Sequence, residues 1–211
     1  MQIEVLVAIF TIVDGEFKVL MSRKKAEPYK GYWMLPSSIA TKEDRLEDTI
    51  DKFVEDKYCL KNLEYEHNYT FDELARNPKK RTIGVSYITI VDSRIVAEIE
   101  LDESSCWFNV DVLPKMAYDH ENIMNKANQI LKEKIIQSST LKKIFPSDFT
   151  LPEIGKMYEQ VLGYGFDKRN FRKKFMKADL VEETGDKTVS TNGRPAKLYR
   201  FKEKIENKLL F

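Results

Sequence analysis

The segment from Asp167 to Lys177 holds residue types whose spacing suits binding a polyanion. Lys168, Arg169, Asn170, Arg172, Lys173, Lys174 and Lys177 occur there, interrupted by Phe171 and Phe175. In a helix, aromatics at i and i+4 mark one buried side and turn the cations outward. Arg and Asn can make bidentate contacts to guanine and adenine edges, whereas lysines more often neutralise phosphates. A basic outer face of this kind suits a recognition helix in a major groove. Downstream, Ser190-Thr191-Asn192-Gly193-Arg194-Pro195 makes a rigid cationic loop, with Lys197 following, that could track a backbone or enter a minor groove. The candidate DNA-binding residues are therefore Lys168, Arg169, Asn170, Arg172, Lys173, Lys174, Arg194 and Lys197.

A second cluster is acidic. From Asp44 to Tyr58, Leu46, Ile50, Phe53 and Val54 recur at helical spacing while Glu47, Asp48, Asp51 and Glu55 fill the other faces. Such acids read as a solvated helix face and not as a metal site. Cys59 and Cys106 lie far apart without partner spacing, which suits a reducing, cytoplasmic compartment and no zinc site. For Asp119-His120 the expectation is a helix start, Asp119 capping and His120 in the first turn.

The elements that must position these residues follow from pattern and charge. At 211 residues, 42% hydrophobic and 33% charged, the chain has room for one large or two small soluble domains. It shows neither a signal-peptide pattern at Met1-Gln2-Ile3-Glu4 nor an apolar stretch of the roughly 20 residues that span a bilayer. Residues 1–140 carry 19 Lys+Arg against 24 Asp+Glu, and residues 141–211 carry 16 against 10. A basic C-terminal third on an acidic remainder implies an attached polyanion-binding module.

Strands are expected at Ile3–Val13 and Phe17–Met21 around the Asp14-Gly15 turn, then at Tyr32–Leu35, Thr82–Val91, Ile95–Leu101 and Cys106–Val110. Helices are expected at Asp44–Tyr58 and Asn122–Ile136, which makes a mixed α/β sandwich. After Pro146–Thr150 the pattern becomes helix Leu151–Leu162, a Gly163–Phe166 turn, and a second helix capped by Asp167. Strands at Leu180–Lys187 and Lys197–Phe201 close a winged helix-turn-helix. The boundaries are 1–138 for the first domain and 139–211 for the second.

Residues Gly31 to Leu60 resemble the Nudix box of the Nudix hydrolases, with Gly31-Tyr32-Trp33-Met34-Leu35-Pro36 as the lead-in. In that family three helix glutamates at i, i+3 and i+4 share one face, hold Mg²⁺ against a pyrophosphate and help generate the attacking water. The matching positions here are Phe53, Asp56 and Lys57. The loop glutamate becomes Asp44 and the arginine Lys52, and Ser37, Ser38 and Cys59 replace the glycines. A one-residue slip would put Glu55 and Asp56 at the paired acids but Lys52 at the first glutamate, so neither register has all three. The resemblance thus implies a Nudix-like α/β/α sandwich without hydrolysis, metal or cofactor. Trp107-Phe108 before Val110 is similar to the closing strand of such domains.

Further along, Phe149-Thr150-Leu151-Pro152-Glu153-Ile154, the run Asp167 to Lys174, and Gly193-Arg194-Pro195-Ala196 with Leu198-Tyr199-Arg200-Phe201 resemble the C-terminal domain of the Nudix-related transcriptional regulators of NrtR type. Arg81 opening the strand to Tyr87, and Ala117-Tyr118-Asp119-His120, are similar to that family as well, so the resemblance covers essentially the whole chain. It implies a ligand-gated regulator, a repressor acting as a homodimer on a double-stranded DNA operator, with two half-sites matching a two-fold protein. The Nudix-like half would sense ADP-ribose, a related nucleotide or a sugar phosphate, and the regulated genes would serve NAD metabolism or sugar use. Expected effector contacts are Lys24 and Lys25 for phosphate charge, Trp33 and Phe71 for stacking, and Arg81 for a phosphate or adenine edge. Two other readings are a working hydrolase of nucleoside diphosphate derivatives with an appended nucleic-acid module, and a non-sensing architectural or RNA-binding protein.

Overall fold

A computed structural model describes residues 1–13, 16–136, 142, 145, 148–188 and 195–205, the Val161 side chain excepted. The Asp14-Gly15 turn, Pro146-Ser147, the 138/139 boundary and the loop Ser190 to Arg194 lie outside these residues. The chain divides into two compact units: Met1–Thr11 with Lys18–Ile130, and Ile12–Phe17 with Leu131–Phe211.

The first unit is organised by β1 (Gln2–Val13), in which every residue from Val5 to Phe10 is fully buried. A strand apolar on both sides needs cover on both faces of its sheet. The sheet has seven strands: β2 (Glu16–Arg23), β3 (Trp33–Met34), β4 (Ser37–Ile39), β5 (Glu66–Phe71), β6 (Thr82–Ile90) and β7 (Ser105–Asn109) join β1. The order is β3-β2-β1-β6-β5, with β4 on β1 and β7 on β2. β1 and β6 run parallel, pairing Glu4 with Gly84. Helix α1 (Leu46–Tyr58) buries Thr49, Ile50, Val54 and Tyr58, leaving Glu47, Asp48 and Glu55 exposed. Helix α3 (His120–Ile135) begins in this unit and runs on into the second, burying Ile123, Met124, Ala127, Leu131 and Ile135, one face at helical spacing.

Between these lies one correction. Ile95–Leu101 is not a strand: Ser93–Ala97 forms the short helix α2, and the residues beyond it have no regular structure. The cause is local, because the Asp92 side chain caps the helix by accepting from the Arg94 backbone N–H at 2.9 Å. Of the apolar residues in α2, Val96 is buried and Ile95 is exposed, so no alternating face exists to hold a strand.

The second unit includes α4 (Leu151–Leu162), α5 (Lys168–Lys177) and the antiparallel hairpin of β8 (Val181–Lys187) and β9 (Lys197–Phe201). α4 starts on a capping box in which Thr150 Oγ1 accepts from the Glu153 N–H and the Glu153 carboxylate accepts from the Thr150 N–H. It ends at Gly163, whose φ of 76° is the left-handed conformation glycine adopts without strain. Asp167 then caps α5 by accepting from the Asn170 N–H at 2.8 Å. Phe149 pairs with Tyr199 and so adds an edge to the hairpin. Helix, turn, helix and two-stranded wing match the expected winged helix-turn-helix.

Candidate functional site

The interior of α5 fixes its outer chemistry. Phe171 and Phe175 stack with ring centroids 5.7 Å apart, and both are buried beside Tyr158 and Phe201. With that side committed to the core, Lys168, Arg169, Asn170, Arg172, Lys173, Lys174 and Lys177 are all exposed. Lys168, Arg169 and Arg172 also line a groove of about 530 Å³ between α4 and α5, across from Pro152, Gly155 and Lys156. Lys197 sits on β9 in an exposed ion pair with Glu183 at 2.7 Å. Arg194 lies outside the described residues. The expected DNA contacts on α5 therefore share one element, while Lys197 lies on β9.

The first unit contains two neighbouring clefts. The larger, about 550 Å³, is lined by Arg23, Lys24, Lys25, Lys30 and Gly31 on one side and by Asp102, Glu103 and Ser104 on the other. Its rim is shaped by the backbone: the Gly31 N–H donates to the Lys24 carbonyl and the Lys24 N–H to the Tyr32 carbonyl, each at 2.8 Å. The smaller, about 210 Å³, takes in Gln2, Glu4, Arg76, Asn77 and Tyr118, and Lys24 lines both. Lys24 also stands 5.6 Å from the Tyr118 ring centre.

Behind the smaller cleft is an ion cluster that the sequence did not single out. The Arg76 side chain is 2% exposed and grips Asp119 bidentately, Nε to Oδ2 at 2.9 Å and Nη2 to Oδ1 at 3.0 Å. Its Nη1 donates to Glu4 Oε2 at 2.9 Å, and Ser37 Oγ donates to the other oxygen of Glu4. Burial works against the guanidinium charge, and Asp119 and Glu4 outweigh it, holding Arg76 above its ordinary value. Gly84 makes room: a Cβ there would stand 2.8 Å from Arg76 Cζ. The Asp119 carboxylate is thus bound to Arg76. His120 opens α3 as expected, and its Nδ1 accepts from the Leu35 N–H at 3.0 Å, pinning the loop after β3.

His120 is fully buried, and burial holds its imidazole below the ordinary value although Glu4 and Asp119 pull it up. An unfolded histidine takes up its proton near pH 6.5, and the buried one does so only at lower pH. Folding stability must therefore fall as pH drops below about 6.5. His120→Asn, which keeps an acceptor near the Nδ1 position, should flatten that part of the melting-temperature profile. Equal pH slopes for the two proteins would exclude His120 as the source.

Of the five expected effector residues, Lys24 and Lys25 meet in the larger cleft. Trp33 joins them only indirectly, packed edge-on against Phe108 at 4.6 Å and carrying the Arg23 guanidinium 4.7 Å from its ring centre. Phe71 sits elsewhere, with Tyr69 beside Asn122 and Lys126. Arg81 donates to the Asp72 and Glu73 carbonyls and braces the chain between β5 and β6. Arg23, Lys30, Glu4, Arg76 and Tyr118 are cleft residues that the sequence reading missed. Arg23 had a signal, the contiguous run Arg23-Lys24-Lys25.

The helix face that would bear metal ligands carries Phe53, Asp56 and Lys57. Asp56 is exposed, and Lys57 Nζ donates to Ser22 Oγ at 3.0 Å while lying 5.1 Å from the Tyr58 ring centre. Lys52 pairs with Asp44 at 2.7 Å. Among the described residues no three His, Cys, Asp or Glu side chains come together as a metal site. An ammonium and an aromatic where two of three carboxylates are needed do not fit Mg²⁺.

Residues 142–201 match the family model of the NrtR DNA-binding winged helix domain. The ADPR responsive transcriptional repressor NtrR of Acinetobacter baylyi is 27% identical over 199 residues, 92% of this chain and 79% of its own length. The crystal structure of Shewanella oneidensis NrtR complexed with a 27mer DNA superposes with a TM-score of 0.78 at 25% identity, covering 95% of this chain and 93% of the other. The C-terminal domain is thus of the NrtR winged-helix type. The Nudix domain of the Shewanella oneidensis NrtR, solved with ADP ribose, shares the fold of the N-terminal half: TM-score 0.55, 22% identity, 61% of this chain and 87% of that one. The chain thus has the fold of a Nudix-like domain followed by a C-terminal winged helix. No helix among the described residues is long and apolar enough to cross a membrane.

Proposed function

We propose that this chain is a cytoplasmic DNA-binding repressor of the NrtR type, a homodimer whose Nudix-like domain binds ADP-ribose or a related nucleotide or sugar phosphate without hydrolysing it. Binding of that effector loosens the grip on the operator, and the regulated genes serve NAD metabolism or sugar use. The observation that carries the reading is α5, whose Phe171 and Phe175 are buried while its cations and Asn170 face outward. The Acinetobacter relative supports it, being an ADPR responsive repressor. A coupling of about 1–3 kcal/mol between the two ligands suffices for a useful switch.

Fluorescence anisotropy with DNA from upstream of the chain's own gene tests this. The expected result is sequence-specific binding that weakens when ADP-ribose is added; binding independent of sequence and ligand would remove the repressor reading. Arg172→Ala is expected to relax base preference by about 1–3 kcal/mol, while Lys174→Ala lowers the salt slope by about 1. If both substitutions leave operator affinity intact, α5 is not the recognition helix.

One observation favours a hydrolase instead, the surviving carboxylate of Asp56. Release of AMP from ADP-ribose with Mg²⁺ or Mn²⁺, abolished by Asp56→Ala, would establish that alternative.

A further inference from the structure

We propose that the effector's diphosphate is bound without a divalent cation, on the fixed cations of the Arg23–Lys30 cleft, and that Lys57 excludes the metal. This rests on the reading of the first unit as an effector domain and adds how the ligand's charge is met.

The position of Lys57 supplies the first half of the argument. Its ammonium is anchored on Ser22 Oγ, which lies 2.5 Å from the Tyr58 hydroxyl, and stands 5.9 Å and 5.1 Å from the Phe53 and Tyr58 ring centres, the residue being half-buried. A side chain held this way keeps its positive charge on the helix face where a divalent ion would sit. Like charges at short range repel, so the site disfavours the ion that a hydrolase needs.

The larger cleft supplies the second half. Four cationic side chains line it against two acids. One of those acids, Asp102, already accepts from the Ser104 hydroxyl on both oxygens. The Ser104 hydroxyl, with the ammonium charges of Lys57 and Lys25 behind it, holds the Asp102 carboxyl below the usual carboxylate range. Lys57 also borders this cleft by geometry: its anchor Ser22 precedes Arg23 and pairs with Ser105, the residue after Ser104 in the cleft wall. Arg23 is steadied by its stack on Trp33, which presents its guanidinium as a ready donor for phosphate oxygens. A diphosphate entering here meets net positive charge supplied entirely by side chains.

Calorimetry on the full chain provides the test, with ADP-ribose titrated in EDTA and again in excess Mg²⁺. The proposal expects the same Kd in both buffers, weakening as salt is raised. Binding that needs Mg²⁺, or tightens about tenfold with it, would overturn the metal-free site and leave the effector reading standing. If ADP-ribose binds in neither buffer, inorganic pyrophosphate decides. Its binding in EDTA retains the cationic site while removing ADP-ribose as effector, and its failure to bind removes the site. Lys57→Glu should weaken ADP-ribose in EDTA and gain a Mg²⁺ dependence that the parent chain lacks. Lys57→Gln, which introduces no new charge, should weaken it in both buffers alike. ADP-ribose affinities unchanged in both variants would also overturn the proposal.

Discussion

Replacing Arg76 with alanine is expected to cost the folded state about 3–5 kcal/mol, because it strands two partly buried carboxylates. Glu4 and Asp119 are only 14% and 15% exposed, and each relies on the guanidinium. Water cannot easily replace it at that depth, so the variant must fold around uncompensated negative charge. The loss should appear as a lower urea midpoint in equilibrium unfolding of the full chain. Arg76→Lys should recover part of it, since an ammonium restores the charge without the two-pronged geometry. Because the cluster walls the smaller cleft, Arg76→Ala should also weaken ADP-ribose. A variant as stable as the parent would mean that Glu4 and Asp119 are adequately solvated without Arg76.

Phe175→Ala is the second large effect, about 3–5 kcal/mol from a cavity at the centre of the winged helix. Phe175 is fully buried, stacked on Phe171 and edge-on to Phe201 at 6.3 Å, so its removal undermines α5 and the hairpin together. Small domains have only about 5–15 kcal/mol in total, so such a loss should leave this unit largely unable to present its basic face. DNA binding should fall sharply in anisotropy while calorimetric binding of ADP-ribose persists. Phe175→Leu, which retains most of the apolar volume, should keep most of the DNA affinity. If Phe175→Ala binds DNA like the parent, the cationic face of α5 does not carry the interaction.

The second unit was readable from its residues because its signals are local. Thr150 with Glu153, Gly163, and Asp167 punctuate two helices whose apolar residues recur at one period, and the alternation Leu198-Tyr199-Arg200-Phe201 marks the wing. In the first unit, β1 announced itself as an unbroken apolar run. The edge strand β5 did not, since in Glu66–Phe71 Asn68 is the one buried residue, and its Nδ2 donates to Ser86 across the sheet. At Ile95–Leu101 the β-branched residues suggested a strand, but the Asp92 cap prevailed. Lys24 and Lys25 were found in a common cleft because they are neighbours in the chain. Phe71 and Arg81 went elsewhere because their placement depends on distant partners. Arg76 was illegible for the same reason: it sits in a polar loop, and its importance is written at positions 4 and 119.

Gly84 lends that cluster an unusual kind of vulnerability. Most positions in a protein core are sensitive to losing atoms, whereas this one is sensitive to gaining a single carbon. A long side chain could ordinarily swing clear of an added methyl group, but the Arg76 guanidinium is fastened at three points and has little freedom to retreat. The union of strand, loop and helix start therefore depends on a vacant place on β6 as much as on any contact.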